Sequence, residues 1–164
     1  MAERNARNPV SLIGMSVENL PTPCLVVDRP AMQRNLDAMQ RKLAAKGKSL
    51  RAHAKTHKSS RIAAMQRAGG AIGICVAKLS EAEGLVAAGV DGVLITGPVV
   101  TEEAHERLLR CRAAAPDLLV TIDDLDNARR LGKRLVQQGM TLRCLIDLDP
   151  DFHRTGVPIA EGVA

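Results

Sequence analysis

Apolar positions along this chain follow two alternating rhythms. Short, nearly uninterrupted apolar runs fall at residues 24–27, 71–77, 92–96, 118–122 and 142–148. Between them lie longer stretches in which apolar residues recur every three or four positions. The short runs are too uniformly apolar to keep one face in water, so they read as strands buried on both faces. The longer stretches read as helices, with end signals in place. Residues 31–46 set Met32, Leu36, Met39 and Leu43 on one helical face, with Pro30 in the first turn and Gly47 as the stop. Ser59 or Ser60 can cap a helix that runs to Ala68 and closes at Gly69-Gly70. Ser80, with Glu83 three residues on, reads as a capping box for a helix ending at Gly89. Thr101 caps the next, with Glu102 and Glu103 in its first turn, where the helix dipole favours acids. Residues 124–138 form a last helix that stops at Gly139, and residues 50–57 read as one more strand.

The repeated strand–helix order with short loops predicts an α/β fold with a parallel sheet covered by helices. Pattern alone leaves two architectures: a doubly wound open sheet or a (β/α)8 barrel. A unit of about 20–25 residues suits a barrel of ~250 residues. About five units fit after residue 50. The expected organisation is a flexible leader over 1–19, a strand and helix over 20–49, and strand–helix units over 50–164.

Composition narrows the functional classes. One Phe (Phe152), no Trp and no Tyr leave the core to Leu, Val, Ile, Ala and Met. Modules that stack bases on aromatic rings are excluded, so no nucleic-acid partner is expected. The net charge of +5 is scattered and reads as a solvated surface with a mild preference for acidic small molecules or phosphates. No apolar stretch reaches the ~18–20 residues of a membrane span, and no membrane partner is expected. Of the four cysteines, none forms a CxxC pair. Cys24, Cys75 and Cys144 lie in apolar runs and read as buried reduced thiols, which suits a cytoplasmic protein. His105 reads as a solvated residue on a helix surface.

The segment LRAHAKTHKSS, residues 50–60, carries the chemistry. On a strand, Arg51, His53, Lys55 and His57 would share one face. Such a row is costly to bury unless it faces a functional cavity. Neighbouring positive charge and partial burial would lower the Lys55 pKa and leave a neutral amine, the nucleophile that forms a Schiff base with an aldehyde. The alternative is an edge strand with solvated charges. On the next strand Gly73, Cys75 and Ala77 alternate as small residues and would leave room for a planar ring. A second candidate is LIDLDPDFHRTGV, residues 145–157. Its Asp147, Asp149 and Asp151 have calcium-loop spacing but lack the later Gly and terminal Glu. Arg154 would point into the same mouth as Lys55, or else lie in an exposed turn.

LPTPCLVVD, RAHAKTHKS, GICVAKLSEAEGLVAAGVDGVLIT and LDPDFHRTGV together resemble the D-threonine aldolase and D-serine dehydratase-like group. These are fold-type III pyridoxal-phosphate enzymes with an alanine-racemase-type barrel, and the likeness runs from about Leu20 to Val157. The resemblance implies about five of the eight strand–helix units of a TIM-type barrel, with a C-terminal β domain and later phosphate-binding loops missing. It implies Lys55 as the catalytic lysine holding pyridoxal 5'-phosphate, Arg154 on the cofactor's phenolic oxygen, and His53 lining the cavity below Lys55. It also implies a lyase acting on β-hydroxy D-amino acids, most closely retro-aldol cleavage. A dehydratase, a racemase and a non-catalytic cofactor carrier are the alternatives. A divalent metal and a homodimer are implied for a full-length protein, with metal ligands outside this chain.

Overall fold

The computed structural model describes residues 12–159. Five strands, β1 (Arg51–His53), β2 (Gly73–Val76), β3 (Val93–Ile95), β4 (Leu119–Ile122) and β5 (Arg143–Ile146), form one sheet in the order β1-β2-β3-β4-β5. Every pairing is parallel. Helices α1 (Arg29–Ala44), α2 (Ser60–Ala68), α3 (Leu79–Ala87), α4 (Glu102–Ala114) and α5 (Leu125–Gln137) alternate with them. This order decides between the two architectures. A doubly wound sheet reverses strand order at a switch point, which places helices on both faces. A monotonic order with right-handed crossovers places every crossover helix on the same face, as in a barrel wall.

Burial agrees. Ile74, Val76, Val93, Ile95 and Val120 are buried in one core with Leu79, Ala82 and Leu85 of α3, Leu108, Leu109 and Cys111 of α4, and Leu131 and Leu135 of α5. The alternate strand positions face the other way. Leu94 and Leu119 are buried but stand apart from that core. Strand register ties them to Cys75 and, through it, to His53. This second face is the concave side of the wall.

Local signals explain the helix ends. The Asp28 carboxylate accepts from the Ala31 N–H at 2.9 Å. Ser59 caps α2 through the Ile62 N–H, Thr101 caps α4 through that of Ala104, and Asp124 caps α5 through that of Asn127. The capping box expected at Ser80 does not form. Lys78 is the N-cap and makes no side-chain bond, while the Glu81 carboxylate reaches back to the Ala77 N–H at 2.9 Å. Glu83 instead pairs with Arg107 of α4.

Other expectations are corrected. Residues 24–27 form no strand among the described residues, and Leu25 is fully exposed. An apolar run alone does not make a strand; it needs an edge to bond. Of the thiols expected to be buried, Cys24 and Cys144 are exposed and Cys75 is half-buried, whereas Cys111 is buried. The run 142–148 splits: β5 ends at Ile146, and β6 (Leu148–Asp149) pairs with β7 (Val157–Pro158). The apolar face of α1 is only half-covered, with Met39 exposed. Residues 1–11 of the expected leader lie outside the described residues; Val17–Asn19 form a 3-10 turn.

Candidate active site at the carboxyl end of the sheet

β1 is shorter than the sequence pattern implies, and this changes the site. The strand ends at His53, the Ala54 N–H continues the ladder to the Cys75 carbonyl at 2.8 Å, and the chain then turns. The Lys58 N–H closes that turn on the Ala54 carbonyl at 2.7 Å, with Lys58 at φ 47°. The expected row of four cationic or titratable groups on one strand face therefore does not form.

Each of the four has its own surroundings. Arg51 enters the concave side beneath the site and donates to the Gly92 carbonyl. Gly73 makes this possible, because a Cβ there would overlap both the Arg51 guanidinium and the Gly92 carbonyl. His57 stays in the turn, where Nδ1 accepts the Ser59 N–H at 3.0 Å. Lys55 stands exposed just past the strand and enters no ion pair among the described residues. Its neighbour Lys58 pairs with Glu81 at 3.5 Å.

His53 lies between Lys55 and β3. Its Nδ1 accepts the Lys55 backbone N–H at 3.3 Å, and its Nε2 lies 3.5 Å from Thr96 Oγ1. Thr96 in turn donates to the Val76 carbonyl at 3.0 Å. Burial and then the Lys55 charge push His53 below the ordinary imidazole value, against a smaller opposite pull from Glu81. Burial raises the Glu81 carboxyl, but the Ala77 N–H and Lys58 outweigh it and leave Glu81 lowered. Burial raises the Cys75 thiol, with Arg51 acting the other way.

Arg154 is exposed in the loop between β6 and β7. The Asp149 carboxylate shapes this loop by accepting the Phe152 and His153 N–H groups at 2.8 and 3.0 Å, and the Gly156 N–H reaches Asp123 at 3.4 Å. The spacing that suggests a calcium loop thus supplies a turn acceptor at Asp149. Lys55 follows the carboxyl end of β1 in the five-stranded sheet, and Arg154 follows β6, in the segment that leaves the carboxyl end of β5. That is the face on which barrel enzymes carry their sites.

Sequence reasoning missed two residues. Thr96 ends the apolar run 92–96, and no spacing rule marked it as polar contact for His53. His105, expected in solvent, is fully buried. Its Nε2 lies 3.1 Å from the Val99 carbonyl and 3.0 Å from Asn127 Oδ1, and Asn127 also donates to Val99 at 3.0 Å. The available signal was its spacing of three from Leu108, on the apolar side of α4.

The residues at the carboxyl end fit an aldehyde cofactor with a planar ring. They offer an accessible primary amine at Lys55, the small Cys75 side chain on the concave face and a cation at Arg154; Gly73, at the amino end of β2, is covered by Arg51 and leaves no room for a ring. They do not fit a divalent metal: among the described residues no group of three or more His, Cys, Asp or Glu could hold one.

The fold is shared with known proteins. The chain is 33% identical over 154 residues to 3-hydroxy-D-aspartate aldolase of Paracoccus denitrificans, covering 93% of this chain and 40% of that protein. It is 38% identical over 138 residues to D-threo-3-hydroxyaspartate dehydratase of Delftia sp., covering 84% of this chain and 36% of that protein. The crystal structure of D-threonine aldolase from Filomicrobium marinum superposes with a TM-score of 0.83 at 37% identity, over 86% of this chain and 38% of that one. The chain thus spans about 40% of the length of the curated relatives it matches. Residues 27–164 match the alanine racemase N-terminal domain, and the chain belongs to that family of pyridoxal-phosphate barrel proteins.

Proposed function

We propose that this chain carries the lysine-bearing part of a pyridoxal-phosphate-dependent lyase acting on β-hydroxy D-amino acids, with D-threonine-type retro-aldol cleavage as its reaction. The observation that carries the reading is Lys55, an accessible amine at the carboxyl end of the first strand in a five-stranded barrel wall. Relatives named as aldolases and a dehydratase of hydroxylated D-amino acids support the substrate class.

Lys55 would hold the cofactor through its amine, and Arg154 would meet its phenolic oxygen. When bound, pyridoxal phosphate supplies an electron sink for negative charge developing beside the substrate nitrogen. The chain's own residues do the rest. The closed turn at Ala54–Lys58 fixes where the Lys55 side chain begins. The Lys58–Glu81 pair keeps a second lysine engaged elsewhere. Leu94 and Leu119, buried on the concave face, keep water from that part of the wall. No step is assigned to a metal in this chain. A homodimer and a cytoplasmic location belong to the same proposal, the first by likeness to fold-type III enzymes and the second from the free cysteines.

Incubation with pyridoxal phosphate, borohydride reduction and peptide mapping tests the assignment. The expected result is a trapped adduct on Lys55 that Lys55→Ala abolishes. An undiminished adduct in that variant overturns it. The products from D-threonine separate the two lyase chemistries. Retro-aldol cleavage releases glycine and acetaldehyde, whereas dehydration releases a 2-oxo acid and ammonia.

A further inference from the structure

The hydrogen bonds around His53 have only one consistent set of directions. A backbone N–H can only donate, so Nδ1, which receives the Lys55 N–H at 3.3 Å, holds a lone pair. The neutral ring then carries its proton on Nε2. Thr96 spends its own hydroxyl proton on the Val76 carbonyl, so at 3.5 Å from Nε2 its oxygen must accept. The relay runs from Lys55 N–H to His53, from His53 to Thr96, and from Thr96 to Val76. A protonated Nδ1 would confront the Lys55 N–H donor to donor.

We infer that His53 is a positioning residue rather than a cofactor ligand: locked as the Nε2–H tautomer by Thr96, it orients Lys55 through the lysine's backbone N–H. Both ring nitrogens are committed, so the imidazole is not a base. The groups facing the ring are Lys55 from the turn, Glu81 from α3, Thr96 just after β3 and Cys75 beside it in register on β2. Burial and the Lys55 charge both favour the neutral ring, in keeping with the lock.

This inference rests on the proposed role of Lys55, and its test separates the two. Long-range 15N–1H NMR of the imidazoles in the whole chain needs no cofactor. The expected result is a neutral Nε2–H tautomer for His53 at pH 7. An Nδ1–H tautomer or an imidazolium at that pH overturns the lock. Two variants then divide the ring's functions. Asn at 53 keeps an acceptor near Nδ1, whereas Gln keeps a donor near Nε2. In the borohydride-trapping assay, His53→Asn should keep the wild-type rate of adduct formation at Lys55 and its pH profile. His53→Gln should slow it about tenfold, equivalent to ~1.4 kcal/mol. The reverse order shows that the ring acts through Nε2 and sinks the positioning role. No adduct even in the wild type fails the cofactor reading, while the NMR result stands or falls separately.

Discussion

At the scale of single residues, the site depends on which polar groups are committed and which are free. His53 is held neutral, so folding favours the uncharged ring. Its native pKa lies below the unfolded value, near 6.5. The unfolded state therefore takes up the proton first as pH falls. His53's contribution is complete above pH ~6.5 and is lost as pH drops through that value toward the native pKa. Urea unfolding between pH 7.5 and 5 should show a larger loss in wild type than in His53→Asn; equal slopes would place the titration elsewhere. His105 is a different case. With Val99 and Asn127 it forms a buried polar knot, and its Nδ1 has no partner among the described residues. His105→Ala leaves Asn127 Oδ1 unpaired and opens a cavity, and should cost about 2–4 kcal/mol in the urea midpoint.

These two histidines also mark the limits of legibility. The residue types at 51–57 single out one segment as the candidate site, because four cationic or titratable residues in seven are conspicuous. They did not reveal that the strand stops at His53, since that depends on where β2 offers carbonyls. Nor could they separate His53, tied to its own backbone, from His105, tied across to a helix 22 residues on.

At the scale of elements, sequence pattern was a good guide wherever the signal was local. The caps at Ser59 and Thr101, and the stops at Gly47, Gly89 and Gly139, act within one turn and fall where the residues imply, while Asp124, read as the first residue of α5, is its cap. Asp124→Ala should remove the α5 cap at a cost of about 1 kcal/mol, read as a shift in thermal midpoint. Signals that need a distant partner misled. Residues 24–27 read as a strand but pair with none among the described residues, and Ser80 yields its expected role to Glu81. Gly73 shows the cost of such distant constraints. A methyl group there meets Arg51 and the Gly92 backbone, and the carbonyl cannot move aside without breaking the Ile74 N–H bond it accepts at 3.0 Å. Gly73→Ala should therefore cost about 3 kcal/mol, at the upper end for overpacking, whereas Gly84→Ala, where nothing lies near the new atom, should be neutral or slightly stabilising.

At the scale of the whole molecule, monotonic strand order and one-sided helices leave the wall with an end. β5 bonds to β4 on one side, and its residues are exposed throughout. Leu145, Ile146, Leu148 and Phe152 expose apolar surface beside it. Among the described residues no strand pairs with the other edge of β5, and a parallel edge with apolar flanks is a template for further pairing. The 164-residue chain studied alone should therefore self-associate as its concentration rises, read by sedimentation velocity. Ile146→Lys, which places a charge on that edge without touching the core of α3, α4 and α5, should shift it toward monomer while leaving adduct formation at Lys55 on the opposite end of the sheet unchanged. A monodisperse wild type at high concentration would mean that the edge is covered within the chain itself. If Ile146→Lys abolished the Lys55 adduct, the two ends of the wall would be coupled, and the site would depend on how β5 is partnered rather than on β1 to β3 alone.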